Sequence, residues 1–520
     1  MPASVSGRPS RGWRRAPMVA ALIAGLIAAG AGAAGCGGST ASAAGSAATH
    51  PALNAAQATL PALPSPPPIV WSSCPTNPAL QCGAVSVPID YRHPLGGSIP
   101  LAVTRAPALD GSGPHGTLVF NPGGPGESGN QILPVALGSL PATVRQHFDI
   151  ISFDPRGTGA SDPLQCGTDP AAATSVSPVP SAAGQPLPGT AVFAAMAQGC
   201  RRPTASNAPF IDTVNTARDM DRIRQGLGLA AISFYGLSYG TALGSVYADL
   251  FPRRVQTMVL DGAVDVNASL VQQATEEAPA AEQSLDHLLA TCASDPTCPL
   301  GPNPQSYFRS LISSLGHRPL LAPGGSPYPV TVGDLDTATL FALSVPGFTA
   351  EFYAALVAAH NGNGAPLRDM ALLFDTDIDG APLVDALWAI TCNDAARHPD
   401  PATAGTLARS LAGRYPLIGA YAVTYTMGGC VSWPSPRQPV TDLHPIGTPP
   451  ILLIGNTGDP NTPLVNTRHL ARLFPKASMV TWKGWGHTWL LSGPSDTCMQ
   501  QVVATYLGGG GLPHPGTVCG

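Results

Sequence analysis

The chain has 520 residues, of which only 11% are charged, and its net charge at pH 7 is −5. The sequence contains no basic patch, which argues against a nucleic acid partner. The roughly 450 residues that follow position 68 exceed one average domain and are enough to bury a large core.

The N-terminus has the pattern of an export signal. Four arginines between Arg8 and Arg15 precede an apolar run from Met18 to Ala34, and the sequence Ala-Ala-Gly-Cys occupies residues 33–36. This ending is similar to a bacterial lipobox, in which the cysteine becomes the acylated first residue of the mature protein. Residues 1–36 are therefore predicted to be a lipoprotein-type signal peptide with Cys36 as the lipidation site. Ordinary signal cleavage and a retained anchor helix are the alternatives.

The segment that follows has the composition of a linker. Residues 37–68 consist mostly of Ala, Ser, Gly, Thr and Pro and contain no charged side chain. Such a segment cannot bury enough apolar surface to fold, so a disordered tether is predicted.

Cysteine usage agrees with export. Ten of the eleven cysteines remain after Cys36 is set aside, and an even number in an exported chain indicates disulfides. Sequence does not fix their connectivity, but the short spacings favour pairs at 74–82, 166–200, 292–298, 392–430 and 498–519. No CxxC or HExxH pattern occurs, so neither a metal site nor a cofactor is predicted.

Strand-like runs alternate with helical segments in the rest of the chain. Apolar runs typical of strands lie at 99–106, 117–121, 148–153, 231–235, 255–260, 451–454 and 478–482, and helices are expected at 216–227 and 241–250. This alternation predicts an α/β fold with a mostly parallel sheet. The tight loop at 154–161 is predicted to be structural, with Arg156 forming an ion pair beneath the active-site loops.

A glycine-rich loop, residues 121–129, follows an early strand. Backbone N–H groups of such a loop can face a developing oxyanion. Gly124 is the candidate donor, together with the N–H of Tyr239.

The same loop also spells Gly-x-Gly-x-x-Gly from Gly124 to Gly129, which is a dinucleotide-binding pattern. Asp149 and Asp154 lie about 20 residues further on, where a ribose-binding acid would be sought. This alternative is disfavoured because Pro125 lacks the N–H that a pyrophosphate site would use.

The most informative motif is Gly236-Leu-Ser-Tyr-Gly240. It lies between an apolar strand-like run and a segment of helical composition, which is the context of a nucleophile elbow. Ser238 is therefore the predicted nucleophile. Gly236 and Gly240 are expected to be required because a Cβ atom there would clash with the neighbouring strand or helix.

Two late strands supply candidates for the remaining members of a catalytic triad. Asp459 follows the strand at 451–454, and His487 follows the strand at 478–482. The order Ser, Asp, His is the one found in α/β hydrolases, and the carboxyl ends of parallel strands share one edge of the sheet. Asp459 and His487 are therefore predicted to act with Ser238.

The distance in sequence between Ser238 and Asp459 exceeds what the remaining core needs. Residues 266–441 are predicted to be an inserted, mainly helical cap between the core parts 69–265 and 442–520. A cap at this edge of the sheet would cover the site and set substrate size.

Several motifs together carry a family resemblance. They are Asn121–Gly129, Asp154–Gly157, Gly236–Gly240, Leu260–Asp265, Cys430–Pro434, Gly458–Pro463 and Gly486-His487. From about Trp71 to Cys519 the chain resembles the secreted tripeptidyl aminopeptidases of actinobacteria. These are α/β hydrolases of the prolyl-aminopeptidase group, with a characteristic C-terminal segment. The resemblance implies an α/β-hydrolase fold, the triad Ser238, Asp459 and His487, and a supporting role for Thr462.

The implied function is that of a serine exopeptidase that releases short peptides, with tripeptides expected, from free N-termini of extracellular peptides or proteins. A secreted carboxylesterase or lipase with the same triad is the alternative. The peptidase should bind the substrate amine through acidic groups in the cap, for which Glu276, Glu277, Glu282 and Asp394 are candidates. Besides peptide substrates, the expected partner is the membrane, through the lipid on Cys36, in an exported or envelope-associated protein.

Overall fold

The computed structural model describes residues 57, 59–110, 116–321, 323–376, 383–434, 436 and 438–520. The predicted signal peptide, Cys36 and most of the tether lie outside these residues. Within them, none of the helices is both long and apolar enough to cross a bilayer.

The described end of the predicted tether contacts the folded core. Arg218 Nε donates to Gln57 Oε1 at 2.8 Å, and the Arg222 guanidinium donates to the carbonyl of Pro64 at 2.7 Å. At these two positions of the predicted tether, arginines of one core helix hold the chain.

The described strands are β1 Ser72–Ser73, β2 Gln81–Pro88, β3 Ser98–Ala106, β4 Gly116–Asn121, β5 Phe148–Phe153, β6 Ile232–Leu237, β7 Val255–Asp261, β8 Ile451–Gly458, β9 Ala477–Trp485 and β10 Val518–Cys519. They form one sheet in the order β1-β2-β3-β5-β4-β6-β7-β8-β9-β10. Pairing is antiparallel from β1 to β5 through β2 and β3, and parallel from β5 across to β10. The predicted, mostly parallel α/β-hydrolase sheet is thus confirmed.

Both faces of the central strands are covered by helices. In β4, Val119 packs into one apolar cluster with the helices at 213–226 and 239–250, whereas Leu118 and Phe120 pack into a second cluster with the helices at 129–139 and 497–507. Alternate side chains of a strand point to opposite faces, so a strand buried on both sides needs a continuous apolar run. This explains the unbroken apolar runs Leu118–Phe120 in β4 and Ile451–Ile454 in β8.

The helices are α1 Gly129–Ser139, α2 Ala142–His147, α3 Pro170–Thr174, α4 Thr190–Gly199, α5 Thr213–Gly226, α6 Tyr239–Leu250, α7 Leu270–Ser294, α8 Pro304–His317, α9 Val332–Ser344, α10 Thr349–His360, α11 Ala365–Asp375, α12 Val384–Asp394, α13 Pro401–Arg414, α14 Tyr421–Met427, α15 Leu464–Leu473, α16 Trp489–Ser492 and α17 Thr497–Leu507.

Helices α7 to α14 all lie between β7 and β8, in the segment predicted to be a cap. Most of them share an apolar cluster of their own, which includes Leu285, Phe308 and Phe352. A second excursion, residues 154–212 between β5 and α5, packs on this helical insertion: Leu187 N donates to the carbonyl of Pro401 at 2.8 Å. This excursion was not predicted from sequence to be part of the cap.

All five disulfides have the favoured connectivity: Cys74–Cys82, Cys166–Cys200, Cys292–Cys298, Cys392–Cys430 and Cys498–Cys519. Structural disulfides form and persist in oxidising compartments, so the pairing is that of an exported protein.

Arg156 forms the predicted ion pair, and it is fully buried. Its guanidinium donates to both carboxylate oxygens of Asp219 on α5, at 2.6 and 2.7 Å, and to the backbone carbonyls of Pro88, Ile89 and Phe210. Tyr91 also donates to Asp219, at 2.7 Å. This network ties the end of β2 and the loop after β5 to α5.

Asp219→Asn should destabilise the fold by about 3–5 kcal/mol, because it leaves the buried Arg156 charge without a counterion. Urea unfolding with intact disulfides measures the change. Asp149→Asn is the matched control: its pair with Arg105 is partly exposed and 3.7 Å long, so about 1 kcal/mol or less is expected. Equal losses in the two variants would show that Arg156 does not depend on its partner.

Candidate active site

The candidate nucleophile lies on a strained turn. Ser238 follows the last residue of β6 and precedes the first residue of α6, and its backbone has φ 52° and ψ −123°. A positive φ is uncommon for a residue with a Cβ atom and persists only where surrounding contacts impose it. Here the Ser238 N–H donates to the carbonyl of Asp261, at the end of the neighbouring strand β7, at 2.9 Å.

The two glycines of the motif permit this turn. A Cβ atom on Gly236 would lie 2.4 Å from the carbonyl oxygen of Gly240, and one on Gly240 would lie 2.8 Å from the carbonyl oxygen of Asn121. Strand β6, helix α6 and the end of β4 therefore approach one another too closely for any side chain at these positions.

Asp459 and His487 are brought together by the ends of β8 and β9. His487 Nδ1 lies 2.9 Å from Asp459 Oδ1 and 3.1 Å from Oδ2. The buried carboxylate also accepts hydrogen bonds from the N–H groups of Asn461, Thr462 and Thr488. The Thr462 hydroxyl donates to Asp459 Oδ2 at 3.1 Å and lies 3.4 Å from His487 Nδ1.

The electrostatic environment favours a positive charge on His487. Burial acts to lower the pKa of this imidazole, but the charge and hydrogen bond of Asp459, with the charges of Asp261 and Glu127, raise the pKa above its ordinary value. Because Nδ1 faces Asp459, Nε2 is the nitrogen left to exchange a proton with another group.

Asp261 connects the turn of Ser238 to the loop of His487, and this role was not predicted from sequence. Its carboxylate accepts from the N–H groups of Trp489 and Leu490, just after His487, at 2.9 and 3.0 Å, and from the Tyr235 hydroxyl at 3.2 Å. Burial raises the pKa of Asp261 to about 6, against the lowering effect of these hydrogen bonds. One residue thus holds Ser238 through its carbonyl and the His487 loop through its carboxylate.

The glycine-rich loop borders the elbow. A Cβ atom on Gly123 would lie 3.0 Å from Ser238 Cβ and 3.3 Å from Tyr239 N, and Gly124 has φ 101°. The Asp154 carboxylate holds the loop: it accepts from the Ser128 hydroxyl at 2.6 Å and from the N–H of Asn130 at 3.1 Å. The loop that carries Gly124 is therefore fixed beside the N–H of Tyr239.

Three carboxyl groups act electrostatically on Tyr425 of α14. They are Glu127 of the glycine-rich loop, Glu277 of α7 and Asp375 at the end of α11, and together they define the acidic pocket. Burial, followed by the charges of Glu277, Asp375 and Glu127, raises the pKa of Tyr425. Glu277 and Tyr425 also line a cleft with Pro460 and Asn461, which follow Asp459 directly.

None of the three carboxyls of the acidic pocket pairs with a lysine or arginine in the part of the chain that the structure describes. Burial raises the pKa of Glu127 and of Asp375 to about 7 each, and burial with the charges of Asp459 and Glu276 raises that of Glu277 well above its ordinary value. A cation bound here would offset the burial of these carboxyls and the repulsion that Asp459 and Glu276 exert on Glu277.

Of the four acids proposed from sequence to bind an amine, only Glu277 lies in the acidic pocket. Glu282 is buried and accepts from the N–H groups of Leu417 and Ile418, so its role is structural. Asp394 accepts from the Thr213 N–H and hydroxyl, and the same hydroxyl lies 2.5 Å from the Tyr239 phenol oxygen.

Glu276, the fourth, is on the same helix as Glu277 but groups with other residues: one carboxylate oxygen accepts from Gln272 at 3.0 Å, and the side chain lies beside Asp265 and His469. Neighbouring residues of a helix point about 100° apart, which explains the separation. Sequence reasoning had no signal for Glu127 and Asp375 beyond the place of Glu127 in the glycine-rich motif.

Comparison with known proteins identifies the family of this chain. The family described as "TAP-like protein" matches residues 415–519, which include Asp459 and His487. Serine protease Hip1 of Mycobacterium tuberculosis is 31% identical over 488 residues, covering 87% of this chain and 91% of that protein. The chain belongs to the tripeptidyl aminopeptidase-like family of serine hydrolases.

Other members have different names. The tripeptidyl aminopeptidase of Streptomyces coelicolor is 30% identical over 476 residues, covering 87% of this chain and 86% of its own. Carboxylesterase B of Mycobacterium tuberculosis is 31% identical over 458 residues, covering 84% of this chain and 86% of its own. The family thus includes proteins named as peptidases and one named as an esterase, and all are hydrolases.

Proposed function

We propose that the protein is a serine exopeptidase that releases short peptides, most of them tripeptides, from free N-termini of extracellular peptides or proteins. The observation that carries the proposal is the acidic pocket. Its three carboxyls make no ion pair with a lysine or arginine among the described residues, and its Glu277 lines a cleft with Pro460 and Asn461, which follow Asp459. A protonated N-terminal amine is the cation that such a pocket would bind.

In the proposed mechanism, Ser238 Oγ attacks the peptide carbonyl while His487 Nε2 takes its proton. Asp459 holds the imidazole with Nδ1 protonated and stabilises the imidazolium, and Thr462 steadies Asp459. The amine product leaves with the proton from His487, and water then hydrolyses the acyl-enzyme.

The N–H groups of Gly124 and Tyr239 are proposed to bind the oxyanion. Support comes from Gly123, the residue before Gly124, since a Cβ atom there would lie 3.3 Å from Tyr239 N. Asp154 holds the same loop through Ser128 and Asn130. A donor of this kind contributes about 10²–10³ in rate.

The acidic pocket would select the substrate by charge. An ammonium group that meets half-buried carboxylates forms charge-assisted hydrogen bonds. An acetylated terminus cannot do so and leaves those carboxylates unpaired. The helical insertion supplies Glu277, Asp375 and Tyr425, so it would also limit how many residues fit between the amine and Ser238.

Ester hydrolysis is the second candidate activity. It is favoured by one observation, the similarity to carboxylesterase B at the same level of identity as to the peptidase relatives. An esterase would not require a pocket for a cation. A preference for substrates with a free amine therefore distinguishes the peptidase from the esterase.

Ser238→Ala should abolish hydrolysis and covalent labelling by a fluorophosphonate, with kcat reduced by about 10⁶. Asp459→Asn should lower kcat by about 10⁴, because the amide favours the wrong tautomer of His487. Thermal unfolding should show that both variants remain folded. Labelling that survives in Ser238→Ala, or a loss below tenfold in Asp459→Asn, would contradict these roles.

Free tripeptide amides should exceed their acetylated forms in kcat/KM by about tenfold to a hundredfold, since an unpaired carboxylate costs about 1–3 kcal/mol. Glu277→Gln should remove most of this preference, with little change for butyrate esters. Glu351→Gln, an exposed acid of the same insertion, is the matched control and should keep the preference. Equal rates on both peptide forms, or faster cleavage of esters than of any peptide, would favour the esterase.

The pH dependence of activity also tests the proposed amine binding, because the pKa values fix the direction of the expected change. Burial raises the pKa of Glu127 to about 7 and that of Glu277 well above its ordinary value. Both carboxyls therefore become neutral at a higher pH than an ordinary glutamate does, and amine binding weakens as pH falls. In measurements of kcat/KM, ester hydrolysis should follow the ionisation of His487, and peptide hydrolysis should lose activity at higher pH than ester hydrolysis does.

We also propose that the protein is a lipoprotein anchored through Cys36. The support is the lipobox-like sequence at residues 33–36 together with disulfides typical of an exported chain. Cys36→Ala should release the protein from the membrane fraction or leave the signal uncleaved. Mass spectrometry of the wild-type N-terminus should find diacylglycerol on Cys36, and an unmodified N-terminus at another residue would overturn the proposal.

A further inference from the structure

A second cluster of titratable side chains lies where the helical insertion meets the core. Asp265 follows β7, Glu276 belongs to α7 and His469 belongs to α15, and one ligand atom of each lies within 4.8 Å of the others. His469 Nδ1 is 2.8 Å from Asp265 Oδ2. The three residues come from three elements that meet only in the folded protein.

One oxygen of this cluster has no partner. Glu276 Oε2 is withdrawn from solvent and makes no hydrogen bond to any described residue, although Oε1 accepts from Gln272. Asp265 is buried, and its other oxygen accepts from the N–H of Asn267. Leaving a buried carboxylate oxygen unpaired is unfavourable, so this site would be stabilised by a ligand that accepts electron pairs.

The charges point to the same kind of ligand. Two carboxylates and one imidazole share the cluster, and neither carboxylate pairs with lysine or arginine in the ranges that the structure describes. A histidine nearby excludes a purely oxygen-ligated site, which calcium and magnesium prefer, and suits zinc or a similar divalent transition metal.

From this geometry we propose that Asp265, Glu276 and His469 bind one zinc-class divalent ion, with water as the fourth ligand. Small side-chain rotations bring the three ligand atoms to the bonding distance of about 2.0–2.2 Å. The ion would join the first helix of the insertion to the core, close to the helical turn that carries Glu277. Its role is to stabilise that junction, independently of the reaction proposed for Ser238.

This site was not predicted from sequence, because positions 265, 276 and 469 have none of the short spacings of known zinc motifs. Only the packing of α7 and α15 near the end of β7 brings them together.

The test uses the full chain with Cys36→Ser, because that substitution removes the one cysteine outside the five disulfides. After treatment with EDTA and buffer exchange, zinc chloride is titrated by calorimetry, and bound zinc is counted by mass spectrometry with inductively coupled plasma. We expect one zinc per chain, a Kd in the micromolar range or below, and a higher Tm with zinc than with EDTA. Calcium and magnesium chloride should give no comparable shift.

Glu276→Gln keeps the acceptor for Gln272 and so should fold normally, but it should weaken zinc binding by about a hundredfold or more, since even outer-shell partners contribute 10- to 100-fold. His469→Gln should do the same. Glu351→Gln and His317→Gln, two exposed positions of the insertion, are the matched controls and should bind zinc as the parent does. Absence of stoichiometric binding in the parent, or unchanged binding in Glu276→Gln and His469→Gln, would overturn the proposal.

Discussion

The strained turn at Ser238 is the constraint on which the rest of the site depends. A positive φ at a residue with a side chain costs of order 1–3 kcal/mol and must be held by its surroundings. Here the Asp261 carbonyl fixes the Ser238 N–H, while Gly236 and Gly240 let β6, β4 and α6 approach closely. Because these contacts lie at the carboxyl edge of the parallel strands, the loops that carry Asp459 and His487 reach the same place.

Much of this arrangement follows from local patterns. Apolar runs between turn residues identify the strands, and once the sheet is parallel, residues at the ends of β6, β8 and β9 must meet. The proximity of Asp459 and His487 could therefore be predicted before any contact was known. The disulfide pairs could also be predicted, because each bond joins one cysteine to the next cysteine along the chain. Each of these predictions rests on a local pattern or on the order of residues along the chain.

What escaped prediction depends on contacts between distant segments. Asp261 ends a buried strand in a common sequence context, and nothing local indicates that its carboxylate binds the N–H groups after His487. The three carboxyls of the acidic pocket come from a loop after β4 and from two helices of the insertion. Glu276 and Glu277 look equivalent in sequence, and only the packing of α7 sends one toward Asp265 and the other toward the cleft.

The acidic pocket and the histidine are electrically coupled, which has a consequence for catalysis. The charge of Glu127 is among those that raise the pKa of His487, and the imidazolium in turn lowers the pKa of Glu127. An ammonium group bound by Glu127 and its neighbours would cancel part of that negative potential, so the pKa of His487 would fall toward its ordinary value. A larger share of the imidazole would then be neutral and able to accept the Ser238 proton. A substrate with a free amine would therefore improve the base that acts on it, whereas a blocked substrate would not. In this way the pocket can influence kcat as well as binding.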